Sequence, residues 1–146
     1  MKINKRTDYA MRMAACVAAG QKTLTSKEMS ETVGVSQDYA VQIAGRLVAG
    51  GVFVASKGWG GGYDLARDAS AVSLLDIAVA MGNAPSVPSA RTLASVPSRT
   101  VADTLRLCYE DIERNLREVL SSATLDDLVQ LTLSAAENPV GREVVS

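Results

Sequence analysis

Thr25-Ser26-Lys27-Glu28 opens, Gly34-Val35-Ser36-Gln37 divides and Gly50-Gly51 closes the stretch that decides the fold. Thr25 and Glu28 have the spacing of a capping box, in which a hydroxyl caps a backbone amide three residues on and the carboxylate reaches back. The helix so opened is short, because Gly34 follows Val33 and glycine readily takes the left-handed conformation that ends a helix. Ser36 then caps a further helix from Gln37 to about Ala49. Along it Ala40, Ile43, Ala44 and Leu47 recur at i, i+3, i+4 and i+7 and form an inward stripe. Gln37, Asp38, Val41, Gln42, Gly45 and Arg46 are left facing outward. Two short helices joined by a Gly-Val-Ser turn read as a helix-turn-helix.

The flanking segments complete that unit. Upstream, Asn4 caps a helix from about Lys5 to Ala19, with Gly20 as its stop and Tyr9, Met13, Cys16 and Val17 on its apolar face. Cys16 belongs to that set and reads as a small buried hydrophobe rather than a reactive thiol. Downstream, Val52-Phe53-Val54-Ala55-Ser56 is β-prone, Lys57-Gly58-Trp59-Gly60-Gly61-Gly62 is a glycine-rich tip, and Tyr63-Asp64-Leu65-Ala66 alternates as a returning strand. A phosphate-cradling loop would need a helix carrying Lys-Ser or Lys-Thr after its glycines. A strand follows here, which leaves a plain turn or a wing tip. In the wing reading Lys57, Gly58, Trp59 and Gly60 face a DNA minor groove, where a cation reads groove width.

Ser73-Leu74-Leu75-Asp76 starts another helix that continues through Ile77, Val79 and Met81 to Gly82-Asn83. Residues 83–98 hold Pro85, Pro88 and Pro97 among serines and read as a flexible loop. From about Arg99 to Ser122 one long helix is expected, with Val101, Leu105, Cys108, Ile112, Leu116, Val119 and Leu120 on one face. At ~24 residues it is ~36 Å long, more than so small a core requires. It is either a helix lying across the core or a dimerisation helix. Dimerisation is preferred, because palindromic DNA calls for a two-fold protein. Thr124 opens a last short helix to about Ala136, and Asn138-Pro139-Val140-Gly141 ends it. The expected fold is mainly α with a small β-wing. A winged helix-turn-helix domain (1–82) is followed by the flexible loop (83–98), the dimerisation and C-terminal helices (99–136) and a disordered tail (137–146).

Composition narrows the function. With 146 residues, 47% hydrophobic and 21% charged, the chain has the make-up of one compact domain. It shows no signal-peptide core and no apolar run of membrane-spanning length, so a cytoplasmic protein without a membrane partner is expected. Histidine is absent and there are two cysteines, Cys16 and Cys108. A catalytic triad, a Cys-His pair and a four-thiolate metal site are thereby excluded from one chain, and no enzyme is expected. The net charge of −1 conceals an asymmetry. Residues 1–70 carry nine Lys and Arg against six acids, and residues 71–146 carry six Arg against ten acids. The first half is suited to an anionic partner.

The chain resembles the Rrf-two family of bacterial transcription regulators over about residues 1–134. The resemblance rests on Tyr9-Ala10, Ser36 to Tyr39 with Gln42-Ile43, and Gly58 to Tyr63 followed by Leu65-Ala66-Arg67-Asp68. Ser73-Leu74-Leu75-Asp76-Ile77 and Thr124-Leu125 with Leu128 also match. It implies a dimeric winged-helix protein that binds double-stranded DNA. Carried over by position, Ser36, Gln37, Tyr39 and Gln42, with the outward Arg46, stand at the major groove. Lys57 takes the wing position where the family usually has Arg, and Lys2, Lys5 and Arg6 lie near phosphates. Cluster-binding members carry three cysteines in the loop before the long helix; residues 83–98 have none. Asp103 and Arg106 stand near the third cysteine and a ligand histidine, and read instead as a surface ion pair. Asp8, where some members have an acidic ligand, reads as a helix N-terminal carboxylate. No cofactor or metal is expected, an iron–sulfur cluster included. Val41 replaces a Glu common in the recognition helix, which predicts a different operator, since Val can touch only a thymine methyl.

The leading expectation is a homodimeric, cluster-free repressor on a palindromic operator. The reading from another class is a winged-helix module that regulates through a protein partner. The effector is left open between a small molecule near the 83–98 loop, a protein, and thiol chemistry at Cys108, whose structural reading is burial on the apolar face of the long helix.

Overall fold

A computed structural model describes residues 2–88 and 90–137. Of the tail expected at 137–146, Glu137 is the last residue of α7; the rest, with the helix stop at Asn138-Pro139-Val140-Gly141, lies outside the described residues. The elements run α1 (Lys5–Gly20), α2 (Ser26–Val33), α3 (Gln37–Ala49), β1 (Phe53–Ser56), β2 (Gly62–Leu65), α4 (Leu74–Ala80), α5 (Ala90–Leu93), α6 (Arg99–Ser122) and α7 (Leu125–Glu137). A 3₁₀ turn at Ala69–Ala71 links β2 to α4. The fold is mainly helical with one small antiparallel sheet, as the sequence predicts.

The capping residues act as their spacing requires. Asn4 Oδ1 accepts from the Thr7 N–H at 2.9 Å and starts α1. In α2 the Glu28 N–H donates to Thr25 Oγ1 at 3.2 Å and the Thr25 N–H donates to Glu28 Oε2 at 2.8 Å. The Thr25 N–H and hydroxyl, followed by Lys22, hold the Glu28 carboxyl below its ordinary range. Gly34 takes φ 79° and ends α2. One boundary differs: Gly20 stays helical and Gln21 adopts the left-handed position, at φ 46°. The buried side of α1 is also rotated from its predicted centre. Thr7, Ala10, Met13, Ala14, Val17 and Ala18 are buried, while Tyr9 and Cys16 flank them half-buried. The core joins these residues to Met29, Ala40, Ile43, Leu47, Phe53, Ile77 and Leu125. Every position of the α3 inward stripe is buried.

Two long-range backbone pairings fasten the parts together. Leu24 and Tyr63 exchange hydrogen bonds, 3.1 Å from the Leu24 N–H and 2.8 Å from the Tyr63 N–H. They add a bridge from the α1–α2 connection to the outer side of β2, beside the β1 pairing of Phe53 with Leu65 and Ser56 with Gly62. At the second, the Leu74 N–H donates to the Ala123 carbonyl and the Leu125 N–H to the Val72 carbonyl, each at 2.9 Å. The starts of α4 and α7 are thus side by side. Each carries a capping pair, Ser73 with Asp76 and Thr124 with Asp127. No helix among the described residues is long and apolar enough to cross a membrane.

Residues 83–98 include a short helix, α5. They bury Pro85 and Leu93, and are tied to α6 by Arg117 Nη2, which donates to the Pro85 carbonyl at 3.2 Å. The apolar residues of α6 divide into two stripes. Leu105, Leu116 and Leu120 are half-buried against the chain itself. Val101, Cys108, Ile112 and Val119 are exposed. Periodicity alone merged the two, because they lie on adjoining sides of the helix. None of the residues of α6 is buried.

Gly62 is fixed by close approach. A Cβ there would lie 2.5 Å from the Leu24 carbonyl oxygen and 2.8 Å from its carbon. Gly62→Ala is expected to cost about 1–3 kcal/mol, read as a lower urea midpoint, with Gly45→Ala, at an open site, as the tolerated control.

Candidate nucleic-acid interface

The outward side of α3 is the centre of the candidate interface. Ser36 Oγ accepts from the Tyr39 N–H at 3.2 Å and caps the helix. That leaves the Ser36 hydroxyl proton free to donate. Gln37, Asp38, Val41, Gln42, Gly45 and Arg46 are exposed, as their spacing predicts. They are not equivalent. Gln37 Nε2 donates to Ser26 Oγ at 2.9 Å, binding the first turn of α3 to the first turn of α2. The Gln42 amide makes no hydrogen bond within the described residues. Tyr39 is half-buried, and its ring stands edge-on to Tyr9 with centroids 6.1 Å apart. Such pairs add about 0.5–1.5 kcal/mol beyond area burial, so this contact braces α3 against α1.

A small cleft of about 110 Å³ brings Arg6 of α1 together with Tyr39, Gln42 and Arg46 of α3. Lys5 stands beside Arg6 in the exposed first turn of α1. Lys2 is exposed as well, and its carbonyl accepts from Asn83 Nδ2 at 3.3 Å.

The wing projects from the same unit. Gly58 and Gly60 take φ 88° and 72°, and the Gly61 N–H donates to the Gly58 carbonyl at 3.0 Å. Only glycine adopts such backbone without cost, and the turn lifts Lys57 and Trp59 clear of the protein. Trp59 is fully exposed. Thr23 Oγ1, 2.8 Å from Asp64 Oδ2, holds the base of the hairpin to the α1–α2 connection.

The distribution of ion pairs is uneven. Arg12 pairs with Asp8, Arg67 with Asp76, Arg106 with Glu110, Arg114 with Asp111 and Arg117 with Glu113. Asp8 therefore is a helix N-terminal carboxylate, but Arg106 takes Glu110 rather than the expected Asp103. Among the described residues Lys2, Lys5, Arg6, Arg46 and Lys57 have no carboxylate partner. Lys5 and Arg6 are on α1, Arg46 on α3 and Lys57 at the wing; among the described residues Lys27 of α2, Arg91 of α5 and Arg99 of α6 are likewise without a carboxylate, while Arg106, Arg114 and Arg117 of α6 are paired.

These elements define a winged helix-turn-helix protein: a helix pair with a polar outer side, a hairpin rising beside it, and a long helix beyond. The chain belongs to the Rrf2 family, whose model, described as "Iron-dependent Transcriptional regulator", matches residues 3–131. It is a DNA-binding transcriptional regulator of that family. Protein aau3 of Rhizobium meliloti (strain 1021) is 28% identical over 132 residues, covering 89% of this chain and 86% of its own. The HTH-type transcriptional regulator IscR of Klebsiella pneumoniae (strain 342) is 26% identical over 131 residues, covering 88% and 80%. Among solved structures, CymR (YrzC), the global cysteine regulator of B. subtilis, has a TM-score of 0.73 at 23% identity, covering 90% of this chain and 98% of that one. IscR of T. potens has a TM-score of 0.69 at 22% identity, covering 90% and 88%. These likenesses support the fold.

The donor set does not fit an iron–sulfur cluster held by three thiolates. The chain has two cysteines and no histidine. Cys16 is on α1 and Cys108 on α6, and no group of three His, Cys, Asp or Glu converges among the described residues. Cys16 is half-buried, and burial pushes its thiol above the ordinary range. Cys108 is exposed on the isolated chain, contrary to its expected burial. The reason is that it lies on the outer of the two α6 stripes. At neutral pH Cys16 stays protonated and is expected to react with a thiol reagent far more slowly than an unstructured peptide thiol. Mass-mapped labelling of the native protein checks this, and rapid modification of Cys16 would contradict it.

Proposed function

We propose that the chain is a homodimeric repressor that holds a palindromic DNA operator without an iron–sulfur cluster. The carrying observation is the set of exposed, unpaired cations on the elements around the outward side of α3. Phosphate contacts from Lys2, Lys5 and Arg6 supply affinity and register, and Ser36, Tyr39 and Arg46 line the major-groove side. Gln42 is the principal base reader, because its amide is free on both its donor and acceptor sides. Gln37 is the secondary reader, since one of its two Nε2 hydrogens is held by Ser26, which fixes the amide and leaves the other hydrogen and the carbonyl oxygen open. Val41, exposed beside Gln42, favours a thymine methyl. Lys57, Gly58, Trp59 and Gly60 form the minor-groove contact. A dimer that occupies its operator without a cofactor occludes the promoter by default, which is the ground for repression.

The exposed stripe of α6 supports the homodimer. Val101, Ile112 and Val119 are 49%, 51% and 66% exposed on the single chain. Cys108 continues their row, and Leu105 and Leu116 border it. Burying such side chains contributes about 1.5–3 kcal/mol each, and a second copy of the same stripe satisfies two-fold symmetry.

Gln42→Ala is expected to lose about 1–3 kcal/mol of discrimination at one base position. Lys57→Ala is expected to weaken binding to all sequences and lower the salt slope by about one. Fluorescence anisotropy on operator and scrambled duplexes reads both, and unchanged sequence preference in Gln42→Ala would remove it as a base reader. Ile112→Glu is expected to convert a dimer to a folded monomer in sedimentation equilibrium; a dimer unaffected by it would place the interface elsewhere.

A further inference from the structure

The connection from α5 to α6 forms one wall of a cleft of about 470 Å³ whose other wall is the first two turns of α6. That volume lies within the range of small-molecule sites. Leu93, Val96 and Ala102 give it an apolar side. Arg99, Asp103 and Arg106 give it a charged side. Arg106 is shared with Glu110, but Arg99 and Asp103 have no ion-pair partner among the described residues. They are four residues apart on α6 and do not pair with each other. Their order, cation before anion, is the weaker arrangement for such a pair on a helix. One cation and one anion are thus left open beside an apolar wall.

The larger cleft, about 560 Å³ between α1, β2 and α7, has no open cation among its described residues, and its unpaired charges, Asp68 and Asp126, are both anions. Lys22 pairs with Glu28, Arg67 with Asp76, and Asp64 accepts from Thr23. The α5–α6 cleft is also set apart from the exposed Val101, Ile112 and Val119 row. Ala102, Asp103 and Arg106 are on a different side of α6, so a second copy seated on that row leaves the cleft open.

We infer that the α5–α6 cleft binds a small zwitterion, a free α-amino acid with an aliphatic side chain. Its carboxylate meets Arg99 and Arg106, its ammonium meets Asp103, and its side chain lies on Leu93, Val96 and Ala102. Occupancy bridges α6 to the segment that precedes it. That segment is otherwise tied to α6 by the packing of Leu93 and by Arg117 on the Pro85 carbonyl. The ligand thereby stiffens the link between the wing-bearing unit and the long helix. The regulatory consequence rests on the DNA-binding reading above; the binding itself does not.

Isothermal titration calorimetry of the full chain without DNA tests the site. The probes are L-leucine, L-leucinamide and 4-methylpentanoate, which present both charges, only the ammonium and only the carboxylate. L-leucine is expected to bind, and each single-charge analogue to bind about tenfold or more weakly, a step of about 1.4 kcal/mol. Asp103→Asn is expected to equalise L-leucine and 4-methylpentanoate, and the double variant Arg99→Gln/Arg106→Gln to equalise L-leucine and L-leucinamide. Circular dichroism melting shows that each variant is folded. No heat with any probe overturns the site, and equal affinity for L-leucine and 4-methylpentanoate in the unmodified protein overturns the zwitterion. Repeating the anisotropy titration with L-leucine asks whether DNA affinity moves. Failure there with intact calorimetric binding removes the regulatory role and leaves the site. Failure of DNA binding without ligand counts against the DNA reading alone.

Discussion

Two hydrogen bonds between Leu24 and Tyr63 set where the wing stands. They join the second wing strand to the segment that leads into α2, so the hairpin cannot swing independently of the helix pair. The approach is so close that residue 62 must lack a Cβ. Thr23 on Asp64 adds a side-chain tie at the same place. The first wing strand follows α3 directly and buries Phe53 in the common core. With both strands held, α3 and the tip carrying Lys57 and Trp59 are fixed relative to each other. The proposed contact with two grooves of one duplex would draw on that preorganisation, because every loose joint would be ordered at the expense of affinity.

Charge follows the same plan. The chain is close to neutral overall, and the average hides the separation. Arg106, Arg114 and Arg117 of α6 are matched to acids one helical turn away, which neutralises most of that helix's positive charge. Lys5, Arg6, Arg46 and Lys57 are left without acids. Surface ion pairs contribute little to stability, so their absence at these four positions costs the fold almost nothing. It leaves phosphate as the natural counter-charge.

Much of the fold was legible because its signals are local. The Thr25–Glu28 and Ser73–Asp76 capping pairs, Gly34, the α3 stripe and both ends of α6 each rest on residues a few positions apart. What could not be read depends on distant partners. Nothing near Leu24 marks it as a β-bridge to Tyr63, and nothing near Gln37 announces that Ser26 holds its amide. The α5 turn is too short to show periodicity. On α6 the apolar repeat was plain, but its division into a half-buried row with Leu105 and Leu116 and an exposed row with Val101 and Ile112 depends on what packs beside each. Asp103 and Arg106 have the spacing of an ion pair, and Glu110 takes the arginine instead. Of the candidate DNA residues, the exposed set on α3 was legible, and the difference between the tethered Gln37 and the open Gln42 was not.

The central claim is that the unpaired cations around α3 and the wing hold DNA without a cofactor. Fluorescence anisotropy of the purified, metal-free protein tests it most directly, with its own upstream duplex and a scrambled duplex titrated at several salt concentrations. The account predicts selective binding to the upstream duplex, with affinity falling steeply and linearly in log–log form as salt rises. Weak binding to both duplexes, or affinity indifferent to salt, would contradict it.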